Sequence, residues 1–272
     1  AQSHGVSYVQ SLSMLGLVHQ RSAQYQKLPP RKALLAVGNP DYRISRGTGP
    51  AANSDPSPAI KRSAASPAAG VGLDRTAAAS ALAESDDAVN EAMNVLREAD
   101  WDALPGTERE VAAVKQVVNA GRVDTLTGSE ASEARLQALN QSGDLRQYAR
   151  LLFSVHGFLS PGVPTLNALV LSQVNNPTGV DGYVTAAEWP GYDLHSDLVV
   201  MSACETGLGK VVQGEGVMGL PFALFVAGNV NTILSLWPVD DEATAAFMQA
   251  LFTRLKAGQA PARALNETKR QF

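Results

Sequence analysis

Two residues of complementary reactivity, His156 and Cys204, each come at the end of an apolar run. The chain has one cysteine among 272 residues, so its thiol has no partner for an internal disulfide. An ordinary free thiol, with a pKa of about 8.5, is only a few per cent thiolate at neutral pH. A nearby imidazole raises that fraction as an ion-pair partner, or removes the proton as a general base. The two residue types therefore indicate nucleophilic catalysis by a thiolate, if the fold brings them together.

The elements that must position these residues are strands of a parallel sheet. Apolar runs without alternation occupy 151–156 (LLFSVH), 197–204 (DLVVMSAC) and 231–237 (NTILSLW). Helical patterns over 217–227 and 241–256 follow the last two runs. Continuous apolar runs separated by helices are typical of parallel strands that are covered on both faces. The pattern predicts an open, doubly wound α/β sheet.

In such sheets, ligands bind beyond the carboxyl ends of the strands, where both candidate residues are expected. One strand–helix unit separates them, so we expect them to be neighbours at the same edge. Gly157 follows the histidine, and Glu205-Thr206-Gly207 follow the cysteine. Small residues leave backbone N–H groups free to face a developing oxyanion, and the amides of Gly157 and Cys204 are the natural candidates. Losing one such donor typically costs about 2.7–4 kcal/mol of transition-state stabilisation.

The first half of the chain adds one strand, one clear helix and an insertion. An apolar run over 32–38 predicts a strand, and Thr107 with Glu110 forms a capping-box pattern that predicts a helix from there to Asn119. Between them, at about 43–100, Ala, Ser, Pro and Gly dominate, which predicts a flexible insertion in a single domain spanning 1–272. The chain lacks an initiator Met and stops at Phe272 within a helical pattern, so we expect an excerpt of a longer protein.

Composition restricts the classes of partner. The chain has 22 basic and 26 acidic residues and a net charge of −4, which gives no electrostatic case for binding nucleic acid. No apolar stretch approaches the roughly 20 residues that span a bilayer, and the first residues lack signal-peptide features, so a cytoplasmic location is expected. A sole cysteine excludes the usual Cys-based structural zinc sites, and His4, His19 and His195 have no companion at metal-ligand spacing. Neither a metal nor a cofactor is expected.

Several motifs together resemble the CHAT domain, a family of caspase-like peptidases related to separase and often found behind tetratricopeptide repeats in bacteria. The resemblance covers nearly the whole chain except the 43–100 region. Its most specific element is S-A-C-E-T-G within 197–207 (DLVVMSACETG). The other matching segments are His156-Gly157-Phe158, Gly214-Glu215-Gly216, 235–242 (SLWPVDDE), 104–110 (LPGTERE), 183–188 (YVTAAE), 33–40 (ALLAVGNP) and 8–15.

The resemblance implies a caspase-like three-layer α/β/α sandwich with a mainly parallel sheet. It implies His156 as the base, Cys204 as the nucleophile and the Gly157 and Cys204 amides as oxyanion donors. The histidine lies 48 positions upstream of the cysteine (204 − 156), close to the roughly 50 quoted for caspase-type enzymes. No third member of a catalytic triad is evident. Pro221 departs from expectation, since it must kink the helix after the glycine loop unless it lies in the first turn.

The implied activity is that of a cysteine endopeptidase acting on protein or peptide substrates. Control by a regulatory partner or an adjoining repeat domain is expected. Asp240 and Asp241 lie at the start of a predicted helix, and one of the two is expected to cap it while the other lines the primary specificity pocket. In separase-like relatives a matching acidic residue receives a basic side chain, and Asp241 is the fifth residue of the W-x-V-x-D pattern. The hypothesis is cleavage after Arg or Lys.

Two other interpretations compete with a peptidase. The segment 214–219 (GEGVMG) matches a dinucleotide-binding fingerprint, and Asp240 follows at a suitable distance. However, Gly214 lies ten residues after Cys204 instead of directly after a strand, and too few residues remain for the further strands. The second interpretation is a non-catalytic interaction module that retains the fold, which nothing in the sequence excludes.

Overall fold

A five-stranded parallel sheet and a three-stranded antiparallel sheet form the framework of the protein. The computed structural model describes residues 12–42, 86–118, 122–160, 162–202, 216–235 and 241–272. The main sheet has the order β2-β1-β3-β7-β8 and the small sheet the order β4-β5-β6. The strands are β1 (Leu34–Pro40), β2 (Val123–Gly128), β3 (Arg150–Ser154), β4 (His156–Phe158), β5 (Ala168–Val170), β6 (Tyr183–Thr185), β7 (Leu198–Met201) and β8 (Asn231–Leu234).

Seven α-helices accompany these strands in the described part of the chain. They are α1 (Leu12–Tyr25), α2 (Asp86–Glu98), α3 (Pro105–Val118), α4 (Glu133–Gln141), α5 (Gly216–Val226), α6 (Asp241–Lys256) and α7 (Pro261–Lys269). None of the helices in these ranges has both the length and the apolar character needed to cross a bilayer.

Alternate residues of the main strands face opposite layers, which explains their unbroken hydrophobicity. One set, including Leu152 and Val200, packs against α3, α6 and α7. The other set, including Phe153 and Met201, packs against α4, α5 and the inner face of the small sheet. The result is the three-layer α/β/α sandwich with a mainly parallel sheet that was predicted.

A third cluster covers the outer face of the small sheet. It joins Phe158, Ala168, Val170 and Tyr183 to buried side chains from other parts of the chain: Tyr42, Ala92, Leu96, Trp101 and Leu104. The helix α2 contributes to this cluster although it lies within the predicted insertion. Residues 86–98 of the predicted insertion therefore form a packed helix, and the part of the insertion at 43–85 lies outside the described residues.

Two local predictions near the candidate residues were wrong. The run 151–156 is not one strand, because β3 ends at Ser154 and His156 begins β4 in the other sheet. Thr107 does not open a helix either. The helix α3 starts at Pro105, the position that proline favours, and Thr107 is buried inside its first turn with its hydroxyl donating to the Leu104 carbonyl at 2.7 Å.

Candidate active site

The carboxyl ends of β3 and β7 lie side by side in the main sheet. The two strands are parallel, and Phe153 is paired with Met201. Beyond this pair, the Ser202 N–H donates to the Phe153 carbonyl at 3.0 Å, and the Ser202 hydroxyl donates to the Ser154 hydroxyl at 3.1 Å. The two serines therefore continue the register of the strands to the edge of the sheet.

Both serines precede a predicted catalytic residue by two positions. Ser154-Val155 leads to His156, and Ser202-Ala203 leads to Cys204. The histidine is described and lies at the start of β4, where it is paired with Val170. The predicted nucleophile, Cys204, lies outside the described residues. The chain therefore carries the same Ser-x-reactive-residue arrangement at the ends of two neighbouring strands.

His156 is buried, with 3% of the residue's surface exposed, and the contacts of its ring include one polar group and two aromatic side chains. Its Nε2 lies 2.8 Å from the backbone carbonyl oxygen of Asp102. The ring lies 5.2 Å from that of Trp101 and 5.0 Å from that of Tyr42, measured between centroids. A carbonyl oxygen only accepts, so Nε2 must carry the proton of this contact. In the neutral ring, the lone pair that accepts a proton is then on Nδ1.

The hydroxyl of Tyr42 links the end of β1 to the small sheet. It accepts from the His156 N–H at 3.2 Å and donates to the Val170 carbonyl at 3.0 Å. Burial raises the pKa of Tyr42 above its ordinary range, and burial likewise raises that of Tyr183, whose hydroxyl accepts from Trp101 Nε1 at 3.0 Å. These phenols stay neutral at physiological pH. The imidazole therefore sits among neutral, hydrogen-bonded aromatic side chains.

A second group of polar side chains runs beneath the strand ends. Glu110 of α3 is buried, and its Oε1 accepts from the Ser154 hydroxyl at 2.9 Å. The Ser202 hydroxyl donates in turn to that of Ser154, and the Ser235 hydroxyl donates to the Ser202 carbonyl at 2.9 Å. Hydrogen bonds thus connect α3 with the ends of β3, β7 and β8.

The structure describes the other predicted site residues only in part. Gly157 lies in β4 opposite Leu169 of β5. Asp241 is the first residue of α6, whereas Asp240 lies outside the described residues. The roles of the Gly157 and Cys204 amides and of both aspartates stay predictions. Pro221 lies inside α5, beyond its first turn, so the departure noted in the sequence is present.

Sequence reasoning missed three contributors. The Asp102 carbonyl, which holds His156, is a backbone group and has no signature in residue type. Trp101 was given no role in the site, because its contact with the histidine depends on the course of the chain between α2 and α3. Glu110 was assigned to a capping box. Pro105 was the better indicator of where the helix starts, because proline favours the first helical position. With the helix starting there, Glu110 lies beyond the positions that cap it.

Two observations concern metal binding and the dinucleotide-like pattern. Within the described ranges, no group of three His, Cys, Asp or Glu side chains is arranged to hold a metal ion. Gly219, the last glycine of the dinucleotide-like pattern, has a packing role instead. A Cβ there would lie 2.6 Å from the Pro164 carbonyl oxygen, so the glycine lets α5 approach the turn before β5.

One buried carboxyl group anchors the small sheet that carries the histidine. Glu133, at the start of α4, accepts from the Gly182 N–H at 2.9 Å through Oε2 and from Gln137 Nε2 at 2.7 Å through Oε1. Gly182 immediately precedes β6. Burial, with the nearby carboxylate of Glu188 as a further cause, raises the pKa of Glu133 to about 8.

This raised pKa predicts a pH-dependent stability. The folded protein holds the Glu133 proton up to about pH 8, whereas the unfolded chain releases it near pH 4.3, roughly the model-peptide value. Stability therefore falls as pH rises between these values. Urea unfolding at pH 5, 6.5 and 8 should show the parent losing about 2–4 kcal/mol relative to Glu133→Gln. Exposed Glu130→Gln serves as the control and should follow the parent. Parallel parent and Glu133→Gln profiles would contradict the assignment.

Comparison with known proteins establishes the family of the chain. A search of curated proteins finds no match to the chain. The family model of the CHAT domain matches residues 1–272, the whole chain. The chain therefore belongs to the CHAT domain family, whose members have a caspase-like fold.

Proposed function

We propose that this domain is a cysteine endopeptidase in which His156 is the general base and Cys204 the nucleophile. The observation that carries the proposal is the register of the two central strands. Phe153 is paired with Met201, so residues 48 positions apart are level, and the serines extend this register to the edge of the sheet. His156 and Cys204 are separated by the same 48 positions, each two residues beyond its serine.

Covalent geometry supports the proximity of the two residues. Consecutive Cα atoms are about 3.8 Å apart, so two peptide steps keep each residue's Cα within about 7 Å of its serine. The serine hydroxyls are themselves hydrogen-bonded at 3.1 Å. These limits restrict how far apart the imidazole and the thiol lie, and we propose that the two are within reach of each other, which is the first requirement for proton transfer between them.

The proposed chemistry follows from the orientation of the histidine. The Asp102 carbonyl holds the proton on Nε2, so Nδ1 removes the proton from the Cys204 thiol. The thiolate attacks the scissile carbonyl carbon, and the Gly157 and Cys204 amides receive the resulting oxyanion. The imidazolium then protonates the leaving amine, and water hydrolyses the thioester. In this scheme a backbone carbonyl takes the part that a carboxylate plays in a triad.

The pH dependence of thiol alkylation tests the pair directly, since the chain has a single cysteine. We expect iodoacetamide to modify the parent rapidly below pH 7, as intact-mass spectrometry follows. His156→Ala should slow that reaction by about 10²-fold or more, the usual contribution of a general base. His19→Ala is the matched control, because this exposed histidine lies on α1 and should change nothing. An ordinary thiol profile in the folded parent would refute the active pair and favour the interaction module instead.

We further propose that Asp241 selects substrates with Arg or Lys before the scissile bond. The proposal rests on its match to the acidic position of separase-like relatives, at the start of α6, the helix that follows β8. Asp241→Asn should lower kcat/KM for basic peptides by about tenfold or more while leaving neutral peptides unchanged, because a paired charge in a pocket is lost. Asp240→Asn is the matched control. Equal losses for basic and neutral peptides would remove the specificity role.

Control of the site by a regulatory partner or adjoining repeat domain is also proposed, and α1 offers a physical route. Arg21 donates to the Phe225 and Asn229 carbonyls at the end of α5, and Tyr25 donates to the Gly228 carbonyl at 2.7 Å. A cation at a helix C-terminus is favourable. A partner that displaces α1 would therefore act on α5, the helix that follows the Cys204 segment.

A further inference from the structure

Glu110 is a buried carboxylate that reaches the end of β3 beneath the candidate site. It is 3% exposed, and the other buried side chains of the helix beyond its first turn are the valines Val111, Val114 and Val118. Burying a carboxylate costs free energy unless hydrogen bonds compensate. Because of this free-energy cost, we look for a role of Glu110 beyond packing. An apolar side chain at this position would match the valines beside it.

Close packing of α3 brings this carboxylate to the edge of the sheet. A Cβ on Gly38 would lie 2.7 Å from Val111 Cγ2 and 3.4 Å from Ser154 Cβ, so only glycine lets the helix approach β1 and β3 this closely. Thr107 fixes the same helix end, because its Oγ1 accepts from the Asn39 N–H at 2.8 Å. The helix α3 is thus packed closely against β1 and β3 around Glu110.

The direction of the hydrogen bonds follows from the chemistry of the groups. Taking the carboxylate as the acceptor, the Ser154 hydroxyl donates its proton to Oε1 and keeps its lone pairs for another donor. The Ser202 hydroxyl fills that place, at 3.1 Å. One acceptor therefore orders two hydroxyls in sequence, and both belong to fully buried residues. Without Glu110, the Ser154 hydroxyl loses its acceptor, and the direction of the hydrogen bond between the two serines is no longer fixed.

We propose that Glu110 is a positioning residue for the proposed thiol chemistry. It acts through Ser154 and Ser202, which hold the ends of β3 and β7 in the alignment from which His156 and Cys204 continue. This inference rests on the proposed function, because a positioning role has meaning only if the two residues react together. Glu110 itself touches neither the histidine nor the substrate in this account.

The test uses thiol alkylation at pH 6.5 on the full chain, with thermal unfolding of each variant. Glu110→Ala and Ser154→Ala should slow the reaction of Cys204 by about tenfold or more, because small misplacements of reacting groups carry large penalties. Glu110→Gln should keep most of the parent's rate, since its amide oxygen still accepts from Ser154. The double variant Glu110→Ala/Ser154→Ala should lose no more than the worse single variant, as expected for one chain of contacts.

Val114→Ala is the control for a general weakening of α3, because this buried residue lies on the same helix outside the hydrogen-bonded chain. It should lower the Tm without slowing alkylation. If the Glu110→Ala protein does not fold, Ser154→Ala, which removes one oxygen atom, carries the same test. The proposal is overturned if the folded variants react at the parent's rate, if Glu110→Gln is as slow as Glu110→Ala, or if Val114→Ala slows alkylation equally. A parent that shows no His156-dependent reaction would instead refute the proposed function, and the role of Glu110 with it.

Discussion

The parallel pairing of β3 with β7 is the constraint on which the candidate site depends. Hydrogen bonds between two parallel strands fix which residues are level, and here Phe153 is level with Met201. The serines that follow extend the alignment by one more residue through both backbone and side-chain contacts. A slip of the register would separate the ends of the two strands and disturb the apolar faces that the helices cover. The register of β3 and β7 thus determines both the packing of the core and the geometry of the candidate site.

The histidine departs from the main sheet while staying close to its edge. After Ser154 the chain enters β4, whose partner β5 runs antiparallel, and the ring is then enclosed by Trp101 and Tyr42. The contact with the Asp102 carbonyl sets the tautomer. These groups come from the segments after β1 and after α2, so two separate parts of the chain converge on the imidazole of His156. Such convergence gives the ring a defined orientation.

The pattern of the sequence predicted the main sheet well. The buried strands are continuous apolar runs because both of their faces are covered, and this signal depends only on local composition. The small sheet was not predicted, because three-residue strands such as β5 carry too little pattern and are defined by long-range pairing. For that reason the run 151–156 was interpreted as one strand, although His156 belongs to a different sheet.

Some residues of the candidate site could be predicted from the sequence and others could not. His156 and Cys204 were identified by type and by their place after apolar runs, although the cysteine lies outside the described residues. The polar connection from Glu110 to Ser202 was not identified, since a serine at a strand end has no pattern that reveals its partner. In retrospect the repeated Ser-x-His and Ser-x-Cys arrangement is a usable signal, because adjacent parallel strands bring equivalent positions together. The second usable signal is Pro105, which marks the start of α3 and therefore the position of Glu110 in that helix.

Cross-linking with 1,3-dibromoacetone tests the central claim, that the aligned strands bring His156 to Cys204. This reagent alkylates a thiol first and then a nucleophile within reach of its three-carbon chain, and the single cysteine makes the first step unambiguous. Peptide mapping by mass spectrometry should find the Cys204 peptide bridged to the His156 peptide in the parent, and no such bridge in His156→Ala. Modification of Cys204 without a bridge, or a bridge to another residue, would contradict the account.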